Sequence, residues 1–370
     1  MNNAIQFPIQ NNDDHERLPE PEVQQPTREK ILLDERGMLD MPFLVLTVLL
    51  VIIGVIMMFS ASYASAYATE GTSTYYFARQ GLFAVAGIGI MLFVSRLNYQ
   101  MWRVLSRPIL LVTMAIMLIT PIFGLTGGGA TRWIRIGSIR FQPSEVAKLA
   151  VIMSYAQLIA RYKDRMKTFR GLLPFIGILG VMVVALLFQS HLSGIIITCA
   201  VAAAMLFMGG VQLRWFALGI GAIALLGVIY LSTMGYAADR ITAWLDPWSD
   251  PQDTGFQIIQ SLYAIGSGGL MGLGLGRSRQ KYLYLPEEHN DYIFAIVCEE
   301  LGFIGAMVIL LLFALLIIRG FWIAMHARDR FGALLAAGIM THIALQVFFN
   351  IGVVTNFLPA TGISLPFFFM

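Results

Sequence analysis

A series of long apolar runs, separated by short polar stretches, begins at Pro42 and continues to the last residues of the chain. A helix needs about 20 apolar residues to cross the hydrocarbon core of a bilayer, whereas a transmembrane strand needs about ten and alternates in character. The runs do not alternate, so the sequence predicts an all-α polytopic membrane protein and not a barrel. Composition agrees, with 57% of the 370 residues apolar and 13% charged. Soluble chains carry about 25% charged residues.

Nine spans can be placed, near residues 42–62, 77–95, 106–124, 143–160, 172–189, 192–210, 215–235, 300–318 and 331–352. A tenth would begin at Pro366, but the sequence stops at Met370. Residues 1–40 are polar, contain Pro19, Pro21 and Pro26, and are expected to form a disordered tail ahead of a membrane domain over 41–370. The first apolar run starts too late for a signal peptide. Neither a short repeat nor an inverted one is visible.

Lysine and arginine set the orientation. They collect after span two (Arg96, Arg103, Arg107), span four (Arg161, Lys163, Arg165, Lys167, Arg170), span six (Arg214) and span eight (Arg319, Arg328, Arg330), while loops 63–76 and 190–191 have none. This predicts a protein of the cytoplasmic membrane with its N-terminus in the cytoplasm. Two loops on the outer side carry charge against the trend. Loop 125–142 has Arg132, Arg135 and Arg140; the large loop 236–290 has Arg240, Arg277, Arg279 and Lys281 beside Asp239, Asp246, Asp250, Asp253, Glu287 and Glu288. A solvated, salt-bridged loop would explain them. So would an anion site, because a guanidinium fork matches phosphate oxygens.

Several classes are excluded or unsupported. A net charge of +3, with basic residues in short loops, argues against nucleic-acid binding. The five histidines and two cysteines (Cys199, Cys298) show no metal-ligand spacing.

Polar groups concentrate in three segments. Gly127 to Trp133 puts a glycine-rich backbone beside Arg132, and Phe141 to Lys148 follows it. Pro143 suits a first helical turn, which makes Glu145 and Lys148 neighbours on one face. They form either a structural ion pair or the lining of a polar cavity, since ionisable groups in membrane spans avoid lipid. Gln260 to Gly274 has the apolar spacing of a short helix lying in the interface, then a glycine turn, and Trp244 to Trp248 reads as an interfacial turn. Lys281 to Phe294 gathers Glu287, Glu288, His289 and Asp291 ahead of an apolar helix. Asp291 or Asn290 could cap that helix, or Asp291 could be a general base for a hydroxyl nucleophile. Glu299 and Glu300, about two turns further, would then support a hydrogen-bond network or raise the Asp291 pKa by repulsion.

At these segments the sequence resembles the SEDS family (FtsW, RodA, SpoVE), over nearly all of the chain after residue 38. The matching strings are Met58 to Ser62 with Tyr76-Phe77 and Arg79-Gln80, Thr131 to Ile134, Gln142 to Lys148, Gln260 to Gly269, and Leu285 to Phe294. The tail and the loop from Tyr162 to Pro174 look most like the cell-division FtsW/SpoVE branch. The resemblance implies a bundle of ten membrane helices that polymerises lipid II into peptidoglycan glycan strands with a class B penicillin-binding protein and other divisome or sporulation membrane proteins. It places the essential aspartate on Asp291 and substrate contacts on Glu145 and Lys148. Arg132, Arg240, Gln260, Lys281 and His289 are further candidates for binding, with Arg277 another possible partner of the pyrophosphate and Glu299 and Glu300 behind the aspartate. No resident cofactor is implied, though a divalent cation is compatible with a pyrophosphate leaving group.

Two segments depart from the family pattern. Gln189-Ser190-His191 stands where Gln-Pro-Asp is common, and Leu365 to Met370 stands where Leu-Pro-Phe-x-Ser-Tyr-Gly-Gly leads into a last helix. The chain is therefore expected to lack that helix. Rival readings are a lipid II flippase, which would need charges spread through the spans, and a non-catalytic scaffold, which would not need Asp291.

Overall fold

The computed structural model describes residues 39–127, 130–137, 139–162, 166–219, 221, 242–282, 284–286 and 288–368. The expected tail lies outside these residues apart from its last two positions, as do Arg240 and most of the seventh span. The principal helices are α1 (Met41–Glu70), α2 (Tyr75–Val94), α3 (Gln100–Phe123), α4 (Pro143–Tyr162), α5 (Phe169–Phe188), α6 (Leu192–Met208), α7 (Phe256–Gly268), α8 (Ile293–Met325) and α9 (Arg330–Val354).

Asp40, counted with the tail in the sequence, instead starts α1. Its Oδ1 accepts from the Phe43 amide at 3.0 Å, and Pro42 occupies the first turn, where a missing N–H costs nothing. The same carboxylate takes both arms of the Arg319 fork, at 3.1 and 2.7 Å, which holds it below its ordinary pKa.

Among the described residues, six helices (α1, α2, α3, α5, α8 and α9) are long and apolar enough to cross a membrane. Helix α6 is shorter at 17 residues. Helix α4 is long enough but carries Glu145, Lys148 and Arg161. It tolerates them because it sits inside the bundle: Ala150, Val151, Ile152, Tyr155 and Ala156 are completely buried. Helix α2 is the opposite case, with Gln80 as its one buried residue.

The apolar side chains form two cores. One gathers α3, α4, α5 and α6; the other gathers α1, α7 and α8. Helix α9 joins them, giving Phe331 and Leu334 to the first and Val347, Val353 and Val354 to the second.

Helix α8 is longer than the span expected at 300–318, and it is broken at Gly302, where φ is +69°. A helix break strands amides and carbonyls that hydrocarbon cannot satisfy. Here the loop after α7 satisfies them. Leu273 and Gly274 donate to the carbonyls of Glu299 and Glu300 at 2.9 and 3.0 Å, and Phe303 and Ile304 donate to those of Gly269 and Leu270 at 2.9 and 3.2 Å. Helix α7 is thus docked against α8. Gly268 is so close to Cys298 that a Cβ would fall 2.0 Å from its carbonyl oxygen.

The arginine-bearing loop 125–142 is also more ordered than expected. It forms an antiparallel sheet of β1 (Leu125–Gly127), β2 (Ala130–Ile136) and β3 (Ile139–Phe141) in the order β1-β2-β3. Ile134 faces Phe141 and Arg135 faces Arg140 across the second ladder.

Loops expected on one side of the membrane meet at one end of the bundle. Asp40 pairs with Arg319, Tyr99 donates to Asp329 at 2.9 Å, and Arg330 donates to the Gly209 carbonyl at 3.3 Å. At the other end Arg132 donates to the Ser190 carbonyl at 3.0 Å, and the Trp244 indole donates to that of Asn356 at 3.2 Å. Pro366, where a tenth helix was expected to begin, opens a turn. Phe367 and Phe368 there pack on Phe313 of α8, and Gly54 of α1 leaves room for the Phe367 carbonyl. Residues 355–368 are called the strap below.

Candidate active site

Asp291 does not cap α8. The residue at the N-cap is Tyr292, which makes no side-chain cap hydrogen bond. The Asp291 carboxylate turns to the strap, where its Oδ1 accepts from the Ser364 hydroxyl at 3.0 Å. Gly362, at φ +66°, lies against the other oxygen, and a Cβ there would sit 3.0 Å from Oδ2. The backbone of Asp291 is fixed as well. The fully buried Asn350 donates to its carbonyl at 2.7 Å and to that of Ile363 at 2.8 Å.

Asn350 ends a stripe of polar residues on α9 with His342 and Gln346, spaced i, i+4, i+8. At 1.5 Å per residue the stripe is about 12 Å long. Polar side chains in a membrane helix face the bundle interior or a cavity, and Gln346 is 8% exposed. At its far end His342 lies within electrostatic reach of Lys148 on α4.

Lys148 is 3% exposed, and its ammonium lies 2.8 Å from Glu145, whose side chain is 40% exposed. Nearby, at the turn between α5 and α6, His191 is pushed down to about 3, first by burial and then by the charges of Arg132 and Lys148. Arg132 reaches that turn from β2 and holds the carbonyl of Ser190, which is at φ +51°. Gln189 is fully buried and donates to the Met117 carbonyl at 2.9 Å. The departure from Gln-Pro-Asp therefore builds a packed turn beside two cations.

Lys281, Glu299 and Glu300 meet in one buried hydrogen-bonded cluster, the network that was one of the two roles expected of the carboxylates. Lys281 is 2% exposed and pairs with Glu300 at 2.9 Å. Glu300 also accepts from Ser60 at 2.6 Å, Gly276 N at 3.0 Å and Ser278 N at 3.2 Å. Glu299 accepts from the Ser278 hydroxyl and from Arg279 N at 2.9 Å. The two carboxylates clamp the loop 276–281, and Lys281 offsets the charge of Glu300.

The other candidates are placed as follows. His289 stacks on Tyr76 at 4.9 Å, with Glu288 Oε1 3.5 Å from its Nδ1. Gln260 is half-buried on α7, and Arg277 is exposed. No group of three or more His, Cys, Asp or Glu among the described residues could hold a metal ion. The sequence reading missed Ser364, Gly362 and the α9 stripe. The i, i+4, i+8 spacing of His342, Gln346 and Asn350 was a usable signal, but the strap has no periodicity to find.

The bundle therefore presents, at the end opposite Asp40, a carboxylate whose position the fold fixes and a polar stripe running from it toward a buried lysine. This is a polytopic membrane protein with a candidate site set within its helices. It belongs to the FtsW/RodA/SpoVE family of cell cycle proteins, whose sequence profile matches residues 41–369. The chain is 43% identical to a probable peptidoglycan glycosyltransferase FtsW of Geobacter sp. (strain M18), over 89% of this chain and 90% of that one. It is 41% identical to stage V sporulation protein E of Bacillus subtilis (strain 168), with the same coverage. Among solved structures it resembles a chain from a study of the coordination of polymerization and crosslinking by a peptidoglycan synthase complex. That match has a TM-score of 0.70 at 23% identity and covers 86% of this chain and 90% of the other. The rod shape determining protein RodA of Thermus thermophilus matches at 0.66 and 22%, with 89% of each chain covered. At those identities the likeness is one of fold.

Proposed function

We propose that this chain is a peptidoglycan glycosyltransferase of cell division or sporulation that polymerises lipid II at the outer face of the cytoplasmic membrane, with its N-terminus inside. The observation that carries the reading is the Asp291 carboxylate, held by Ser364 and stapled through Asn350 instead of capping a helix. The names of the relatives at 43% and 41% identity support the same reaction class.

In this mechanism Asp291 accepts the proton of the acceptor sugar's 4-hydroxyl. The oxygen attacks the anomeric carbon of the donor, and the bond from that carbon to the undecaprenyl pyrophosphate oxygen breaks. The leaving diphosphate keeps the electron pair, and the cations of Lys148 and Arg132 stabilise its charge. A site within a helical bundle lets the polyprenyl tail stay in lipid while the sugars reach water. The partner is a class B penicillin-binding protein, which would cross-link the strands as they emerge.

The test is polymerisation of purified lipid II in liposomes with a class B partner, comparing the parent with Asp291→Asn. Long strands from the parent and none from the variant support the reading. A parent that moves lipid II across the bilayer without making strands would replace it with a flippase.

A further inference from the structure

We propose that Ser364 is a positioning residue for the reaction. It fixes the plane of the Asp291 carboxylate so that one oxygen is presented to the acceptor hydroxyl. This rests on Asp291 being the base.

A carboxylate at the end of a side chain turns about a soft, two-fold torsion, and a base must be aligned within hydrogen-bond reach of the proton it takes. Ser364 meets that need with one donor on Oδ1 at 3.0 Å. The bare Cα of Gly362 borders Oδ2, where a Cβ would sit 3.0 Å away. Ser364 is itself held from both sides. Ile363 before it packs into the first core and Leu365 after it into the second, at 5% and 0% exposure. Asn350 then ties the Ile363 carbonyl to the Asp291 carbonyl. The hydroxyl and the carboxylate, 73 residues apart in sequence, are therefore fixed to one another at both backbone and side chain. A serine serving only to fill a hydrogen bond would not need that backbone tie.

The experiment measures steady-state lipid II polymerisation by the full chain with its class B partner, for the parent, Ser364→Ala, Ser364→Thr, Asn350→Asp and Asp291→Asn. Loss of alignment should lower kcat of Ser364→Ala by about ten-fold with KM and thermal midpoint unchanged. Threonine, which restores the hydroxyl, should recover most of it. Asn350→Asp, which cannot donate to two carbonyls, should lose at least as much. The proposal is overturned if Ser364→Ala keeps parental kcat, if its loss appears in KM alone, or if threonine does not rescue. Activity surviving in Asp291→Asn is a separate outcome that removes the base assignment itself.

Discussion

The Ser60 hydroxyl of α1 and the Glu300 carboxylate of α8, 240 residues apart in sequence, meet at 2.6 Å inside the bundle. Lys281 and the amides of Gly276 and Ser278 converge on the same carboxylate. One buried negative charge thus ties the first helix, the loop after α7 and the broken helix together. A buried charge is tolerable only when paired and hydrogen-bonded. The arrangement should fail unequally when different members are removed.

Glu300→Leu leaves the Lys281 ammonium with Ser60 at 3.3 Å in place of a carboxylate, and takes the acceptor from the buried Ser278 amide and from that of Gly276. Loss of one partner from a buried pair costs about 3–5 kcal/mol, and the orphaned donors add to it. Lys281→Met leaves Glu300 with three donors and should cost less. Thermal unfolding in detergent should rank the parent above Lys281→Met, and that variant above Glu300→Leu. The reverse order would mean that the lysine, not the carboxylate, is the centre of the clamp.

Gly302 should not accept a side chain. Its φ of +69° is unfavourable for L-residues, and a Cβ would sit 2.2 Å from the Gly272 amide nitrogen, which is backbone and cannot step aside. Gly302→Ala should accumulate poorly in membranes. Gly266→Ala, in α7 with nothing within 4 Å of its Cβ, is the control and should match the parent. Equal yields would mean that the break in α8 is not needed for folding.

The spans were legible because lipid imposes long apolar runs, and the pairing of Glu145 with Lys148 followed from helical spacing. The break at Gly302 was not. Its cause is a loop some thirty residues upstream, and a single glycine in an apolar run gives no local sign of that partner. Loop 125–142 hid a sheet for a related reason, since its strands are short and pair with each other without covering a large core. Asp291 was found as a chemical group, while the residues that hold it lie in the strap and on α9. The pairing of Lys281 was not legible either, because only tertiary packing brings it to Glu300.

His191 gives a pH signature. Burial and two neighbouring cations push its pKa down to about 3 from an ordinary 6.5. Between those values the unfolded chain binds a proton that the native protein does not. Its contribution is therefore fully present above pH 6.5 and is lost as pH falls toward 3, at up to about 1.4 kcal/mol per pH unit. His191→Gln should flatten the fall of the thermal midpoint between pH 6.5 and 4. Parallel curves for parent and variant would show that the imidazole becomes solvated when protonated.

Glu145 and Lys148 should separate stability from activity. Lys148 is the buried member of the pair and Glu145 the exposed one. Lys148→Ala leaves a carboxylate that water can solvate, so the protein should fold with a nearly parental thermal midpoint. Glu145→Ala leaves a buried ammonium without its carboxylate and should be the less stable variant. If Lys148 also meets the diphosphate, the order for catalysis is the opposite one. Lys148→Ala should lose about ten-fold or more in kcat/KM for lipid II, while Glu145→Ala keeps the cation and loses less per folded molecule. Polymerisation normalised to folded protein makes that comparison, and a Lys148→Ala variant as active as the parent would leave the pair a purely structural role.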